Sequence, residues 1–172
     1  YFNKRGIIID QNCRKKLIEK QLQKISERKN VNLEINVKLL NEVVDLVEQP
    51  HILSCKFDQK FLEIPEEILI ITMQHHQKYF HTFDQKGNIT NEFFVVANVK
   101  DNKGFIKIGN ERVVDARLSD ASFFWQKNKS QNLIKQISKL KSINYFEGLG
   151  SYFDKVQRMR KLGALISDEM LI

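Results

Sequence analysis

The sequence is poor in the features that would announce a chemistry. It has two cysteines, Cys13 and Cys55, far apart and without CxxC spacing. Two isolated thiols argue against a redox pair or a zinc site and suit a reducing, cytoplasmic setting. No run of about 18 apolar residues occurs, so no membrane span is expected. Tyr1-Phe2-Asn3-Lys4-Arg5 is followed by no apolar h-region, so it does not read as a secretory signal. G-x-G-x-x-G and G-K-[ST] are missing around Gly104, Gly109, Gly148 and Gly150, so ATP is not expected to bind this chain. Ser54, Ser119, Ser122 and Ser151 lack a G-x-S-x-G setting, and there is no His-Asp dipeptide. The one histidine cluster is His75, His76 and His81, and H-E-x-x-H is absent. On a helix the adjacent His75 and His76 would point about 100° apart, which is unsuitable for a shared metal. No catalytic residue, cofactor site or metal site is expected in this chain.

What is present is a foldable, basic chain. Its 172 residues, 42% hydrophobic, fit one domain with room for a short part of a second. The net charge is +7, with 21 lysines against 7 arginines, a bias that nucleotide composition alone can produce. The charge is unevenly spread: residues 1–30 carry nine basic and three acidic side chains, whereas residues 31–70 carry three and eight. Such asymmetry can steer a polyanion onto one face, and it equally fits a solvated lysine-rich helix.

Periodicity outlines the elements. Asn12–Lys29 reads as a charged helix with a narrow stripe of Leu17, Ile18, Leu22 and Ile25. Asn36 is placed to cap a second helix that Pro50 stops. His51–Phe57 reads as a strand. Pro65 fits a first helical position, with Glu66 and Glu67 at the positive end of the helix dipole, and that helix should run to about His76. Tyr79–Phe83 and Ile89–Val99 read as strands joined by a turn at Asp84–Asn88. Phe93-Phe94-Val95-Val96-Ala97 is continuously apolar, as in a strand buried on both faces. Residues 102–127 return to a helical pattern, in two pieces around Gly109. Ser130 caps a further helix to Leu140, and a last helix follows Gly148-Leu149-Gly150. The expected class is α+β, a mixed sheet with flanking helices.

Aromatic residues from Tyr79 to Trp125 are interleaved with Lys78, Lys107, Arg112 and Arg117. Exposed rings could stack on RNA bases, or the rings could form the core. Arg112 and Arg117 interrupt a lysine-rich surface with planar forks suited to phosphate. An internal partner, Glu111, Asp115 or Asp120, is the alternative. Lys78, Arg112 and Arg117 are the candidate RNA contacts.

Several segments carry a family resemblance: LNEVVDLVEQPHILSCKFDQKFLEIPEEIL from Leu40, then HHQKYF, FFVVANV, GNERVV, ARLSDASFFW and EGLGSYFDKVQRM. In this collinear order they resemble the β subunit of the bacterial two-subunit glycyl-tRNA synthetase. Asp115-Ala116 stand where that family often has Arg-Pro, so no arginine contact is carried over there. The resemblance implies a part of glycine–tRNA ligase. The α subunit would hold ATP and glycine, while β recognises tRNA(Gly) and stabilises an α2β2 assembly. It further implies that residues 1–147 form an α+β module similar to the editing-type module of phenylalanyl-tRNA synthetase's β subunit. Residues 148–172 would then begin a following helical domain. The expected partners are the α subunit and tRNA(Gly), with neither membrane nor DNA. No editing group is identified, and the fragment alone is not expected to aminoacylate.

Overall fold

The computed structural model describes residues 6–170; Tyr1–Arg5 therefore lie outside the described residues. The chain forms two compact units, Tyr1–Trp125 and Gln126–Ile172.

In the first unit, helix α1 (Gln11–Lys29) starts where the Asp10 carboxylate accepts the Cys13 N–H at 2.7 Å. It ends at Asn30, whose left-handed backbone (φ 53°) turns its N–H back onto Glu27 O. Helix α2 (Val37–Leu46) is capped by Asn36, as expected, through the Lys38 and Leu39 amides. Strand β1 (His51–Lys56) leads through a tight turn at Gln59–Glu63 to α3 (Glu66–Ile71). Pro65 stands just outside α3, with Glu66 and Glu67 in its first turn. The helix then widens over Thr72–His76, and the chain escapes through a left-handed Lys78 (φ 59°) into β2 (Phe80–Phe83). The expected continuous helix to His76 thus changes its winding for the last turn.

Strand β3 (Ile89–Ala97) is central, in the order β1-β3-β2. Both pairings are antiparallel, with His51 opposite Ala97 and Phe80 opposite Phe94, so the expected mixed sheet holds no parallel pair. The β2–β3 turn closes because the Asp84 carboxylate accepts the Lys86 and Asn88 amides at 2.8 and 2.9 Å. Gly87 supplies the positive φ there.

Period-two alternation along β3 divides the interior into two layers. Phe93 and Val95 enter a core with Cys55, Phe57, Phe61, Leu69, Met73, Tyr79, Val114 and Leu118. Phe94 enters the other, with Ile18, Leu22, Leu39, Leu40, Val43, Val44 and Phe80. Helices α1 and α2 therefore cover one face of the sheet, and α3 and α4 (Phe105–Ser130) the other. The α+β class and the doubly buried strand are as the sequence implies. The break expected at Gly109 does not occur: α4 runs through it, because Asn110 and Glu111, just after the glycine, anchor the helix.

In the second unit, Asn132 rather than Ser130 caps the short helix α5 (Leu133–Gln136), which tightens over Ile137–Ser142. Ser130 instead donates its hydroxyl to Lys127 O. A small hairpin of β4 (Asn144–Phe146) and β5 (Gly150–Ser151) follows, a feature absent from the sequence reading. Helix α6 (Tyr152–Met170) completes the described chain. None of the described hydrophobic side chains of this unit is buried.

Candidate nucleic-acid interface

Helix α4 carries two of the three candidate contacts, and its inner side explains its outer one. Asn110 accepts a hydrogen bond from the Tyr79 hydroxyl and donates to Ile106 O. Glu111 accepts the Lys56 N–H at 2.9 Å and lies 3.8 Å from the Lys107 ammonium. Val114 and Leu118 are fully buried. Asp115 accepts the Asp58 N–H at 3.4 Å. Positions 110, 111, 114, 115 and 118 thus form the docked stripe of the helix.

Arg112 and Arg117 fall outside that stripe and are exposed. Neither makes a hydrogen bond or ion pair with a described residue. The internal partners weighed for them do not hold them: Glu111 and Asp115 are turned to β1 and the loop after it, and Asp120 is exposed without an ion pair to either arginine. Five residues apart, the two arginines project about 140° from each other around the helix axis, so they address different directions.

Lys78 is differently placed. Its ammonium lies 2.5 Å from a Glu42 oxygen on α2, and both side chains are half-exposed. The hydrogen bond from Lys78 holds the Glu42 carboxyl below its usual range. Lys78 therefore comes to any ligand already paired, and it sits on the far side of the sheet from α4's docking face. Nearby, His75 and His76 are exposed while His81 is buried. Burial depresses the His81 imidazole, and its Nδ1 is 3.1 Å from Gln74 Nε2. Among the described residues, no three His, Cys, Asp or Glu side chains are grouped to hold a metal.

Most of the aromatic residues divide between core and surface, with Phe83 and Trp125 half-buried. Tyr79, Phe80, Phe93 and Phe94 are core, and Tyr79 stacks on Phe93 with centroids 5.2 Å apart. Phe105, Phe123 and Phe124 are exposed, the last two in edge contact with each other. The excess charge of residues 1–30 is legible in the sequence, but the sequence reading misses its arrangement: Lys16, Lys20, Lys24 and Arg28 form a row on α1 whose four-residue spacing total charge conceals.

Comparison with known proteins matches the model of the glycyl-tRNA synthetase beta subunit over residues 1–172. The chain belongs to the glycyl-tRNA synthetase beta subunit family. It is 45% identical over 157 residues to the glycine–tRNA ligase beta subunit of Dictyoglomus thermophilum, covering 91% of this chain and 23% of that one. It is 37% identical over 166 residues to the corresponding protein of Thermodesulfovibrio yellowstonii, covering 96% and 24%. For that of Streptococcus agalactiae serotype Ia the figures are 36% over 165 residues, 95% and 24%. The chain thus spans about a quarter of the length of the curated relatives it matches. No helix among the described residues is long and apolar enough to cross a membrane.

Proposed function

We propose that this chain serves glycine–tRNA ligase as a non-catalytic α+β part of its β subunit, contacting tRNA(Gly) and supporting an α2β2 assembly. ATP-dependent activation of glycine belongs, in this reading, to the α subunit, and the whole acts in the cytoplasm. Residues 1–147 act as the module and residues 148–172 as the beginning of a helical domain. The observation that carries the reading is family membership over the whole chain, joined to an α4 on which Glu111 and Asp115 are docked inward while Arg112 and Arg117 stay unpaired. Guanidinium groups left free in this way suit RNA phosphate.

The test is titration of the assembled synthetase, with and without R112A/R117A, using glycine tRNA and a non-cognate tRNA at low and near-physiological salt. Weaker cognate binding by the variant supports the reading. Unchanged binding removes these arginines from it.

A purely structural role between domains is the second reading. It is favoured by the exposed Leu133, Ile134, Leu162 and Leu165 in the second unit. Retained tRNA affinity together with loss of α-subunit capture, on substituting those residues, would select it.

A further inference from the structure

Helix α1 carries seven basic residues, and the fold sorts them into two groups. Three are committed internally. Arg14 donates to the carbonyls of Ile8, Ile9 and Val44. Lys15 donates to Asn41 at 2.9 Å. Lys29 lies 2.9 Å from Glu92. The other four are Lys16, Lys20, Lys24 and Arg28, all exposed and without a hydrogen bond or ion pair to a described residue.

These four stand at strict four-residue spacing. Each rises about 6 Å above the last and turns about 40° around the axis, making a ridge about 18 Å long. Like charges four residues apart oppose helix formation, so the ridge costs the helix stability that an anionic partner offsets.

The upper end of the ridge opens onto a groove of about 350 Å³ between α1 and β1, the edge strand of the sheet. Its polar lining is Gln21, Lys24, Arg28, His51, Lys100 and Asp101. Three cations there face one carboxylate, and an oxygen of that carboxylate accepts the Lys107 N–H at 2.9 Å. Lys100 is also exposed and unpaired. The His51 Nε2 is buried with no hydrogen-bond partner, the sole such side-chain atom among the described residues. The exposed, unpaired cations of the ridge and of the groove make a surface complementary to phosphate.

We propose that the Lys16–Lys20–Lys24–Arg28 ridge and the adjoining groove hold an RNA phosphodiester backbone, as a second contact separate from Arg112 and Arg117. The occupant is a polyanion rather than a single ion, because the free cations form a line and not a cage. The inference rests on the reading of the chain as a tRNA-contacting part. It adds the surface that supplies most of the electrostatic affinity.

The experiment is the salt dependence of tRNA binding by the full-length subunit in its synthetase assembly, comparing wild type with K16Q/K20Q/K24Q/R28Q. Glutamine preserves helix propensity. Four lost phosphate contacts, each worth roughly 0.7–0.9, lower the log–log salt slope by about 3. K15Q, which removes an ammonium tied to Asn41 off the ridge, should lower the slope by less than K20Q or K24Q does. Should the quadruple variant fail to assemble, K20Q and K24Q carry the test singly, each lowering the slope by just under about 1.

An unchanged slope in the ridge variants, with a lowered one in R112A/R117A, overturns the ridge and leaves the tRNA-contact reading standing. If neither set of variants changes binding, both fall. If the ridge variants lose α-subunit capture while keeping the wild-type RNA slope, the surface serves a protein and the proposal is overturned.

Discussion

Tyr79 donates its phenolic hydroxyl to Asn110 Oδ1, joining the entry to β2 to the first half of α4. The bond ties together HHQKYF and GNERVV, two of the segments on which the family resemblance rests. Asn110 is held in turn by its own donation to Ile106 O at 2.6 Å, and Tyr79 by stacking on Phe93. Burial pushes the Tyr79 hydroxyl up to about 12, so it stays a donor throughout the ordinary pH range.

Removing the hydroxyl with Y79F leaves a partly buried acceptor on Asn110. The expected cost is about 1–2 kcal/mol, read as a shift of the urea midpoint at unchanged slope. N110A should cost a similar amount, and the double variant less than the two together. Strict additivity would contradict a direct coupling.

Glu92 gives a second, pH-dependent handle. It is 7% exposed, accepts from the Ser54 hydroxyl and pairs with Lys29. Burial raises its carboxyl pKa, but the Ser54 hydrogen bond and the Lys29 ammonium outweigh burial and leave it below the usual 4.5. A depressed folded value means the stabilisation is complete above about pH 4.5 and is lost as pH falls through that lower value. Wild type should therefore lose more stability than E92Q between pH 5 and pH 3, by denaturant titration. Equal losses would remove Glu92 from the acid response.

The two thiols should behave differently. Cys13 is exposed, and Cys55 is buried, with its thiol pushed up to about 12 mainly by that burial. A maleimide reagent at pH 8 should label Cys13 in the folded protein and both thiols in denaturant, by intact mass. The hydrogen bond to Asp10 raises the Cys13 thiol, so its labelling should be slower than that of a free cysteine. D10A would accelerate it.

Among the three candidate RNA contacts, the pairing pattern predicts an order. R112A/R117A removes two unpaired cations and should lower the salt slope of tRNA binding by just under about 2. K78A removes a cation that Glu42 already neutralises and should change the slope by less than either arginine alone. A larger effect of K78A would mean that its ion pair opens on binding.

Local chemistry explains what was legible beforehand. The Asn36 cap, the Asp84 turn and the unbroken apolar run of β3 each act over a few residues, so pattern alone identifies them. From sequence Lys78 reads as a free cation, because its neutralising partner lies 36 positions away on α2. The reading of Arg112 stayed open for the same reason: its neighbour Glu111 is turned to the Lys56 amide by a tertiary contact. Gly109 suggested a break that costs a helix about 1 kcal/mol relative to alanine, and tertiary anchoring at Asn110 and Glu111 outweighs that penalty. The widened turn at Thr72–His76 is held by a bond from the Tyr79 N–H to Met73 O, a contact that hydrophobic periodicity does not reveal.

The central strand has a further consequence for how this protein comes apart. Phe93 and Phe94 are consecutive yet belong to different interiors, so β3 is a wall shared by two rooms. Neither room can lose that wall alone. Displacing it would flood both at once, and the helices on opposite faces would be released in one step. The sheet thus makes a single cooperative unit of what would otherwise be two layers melting separately.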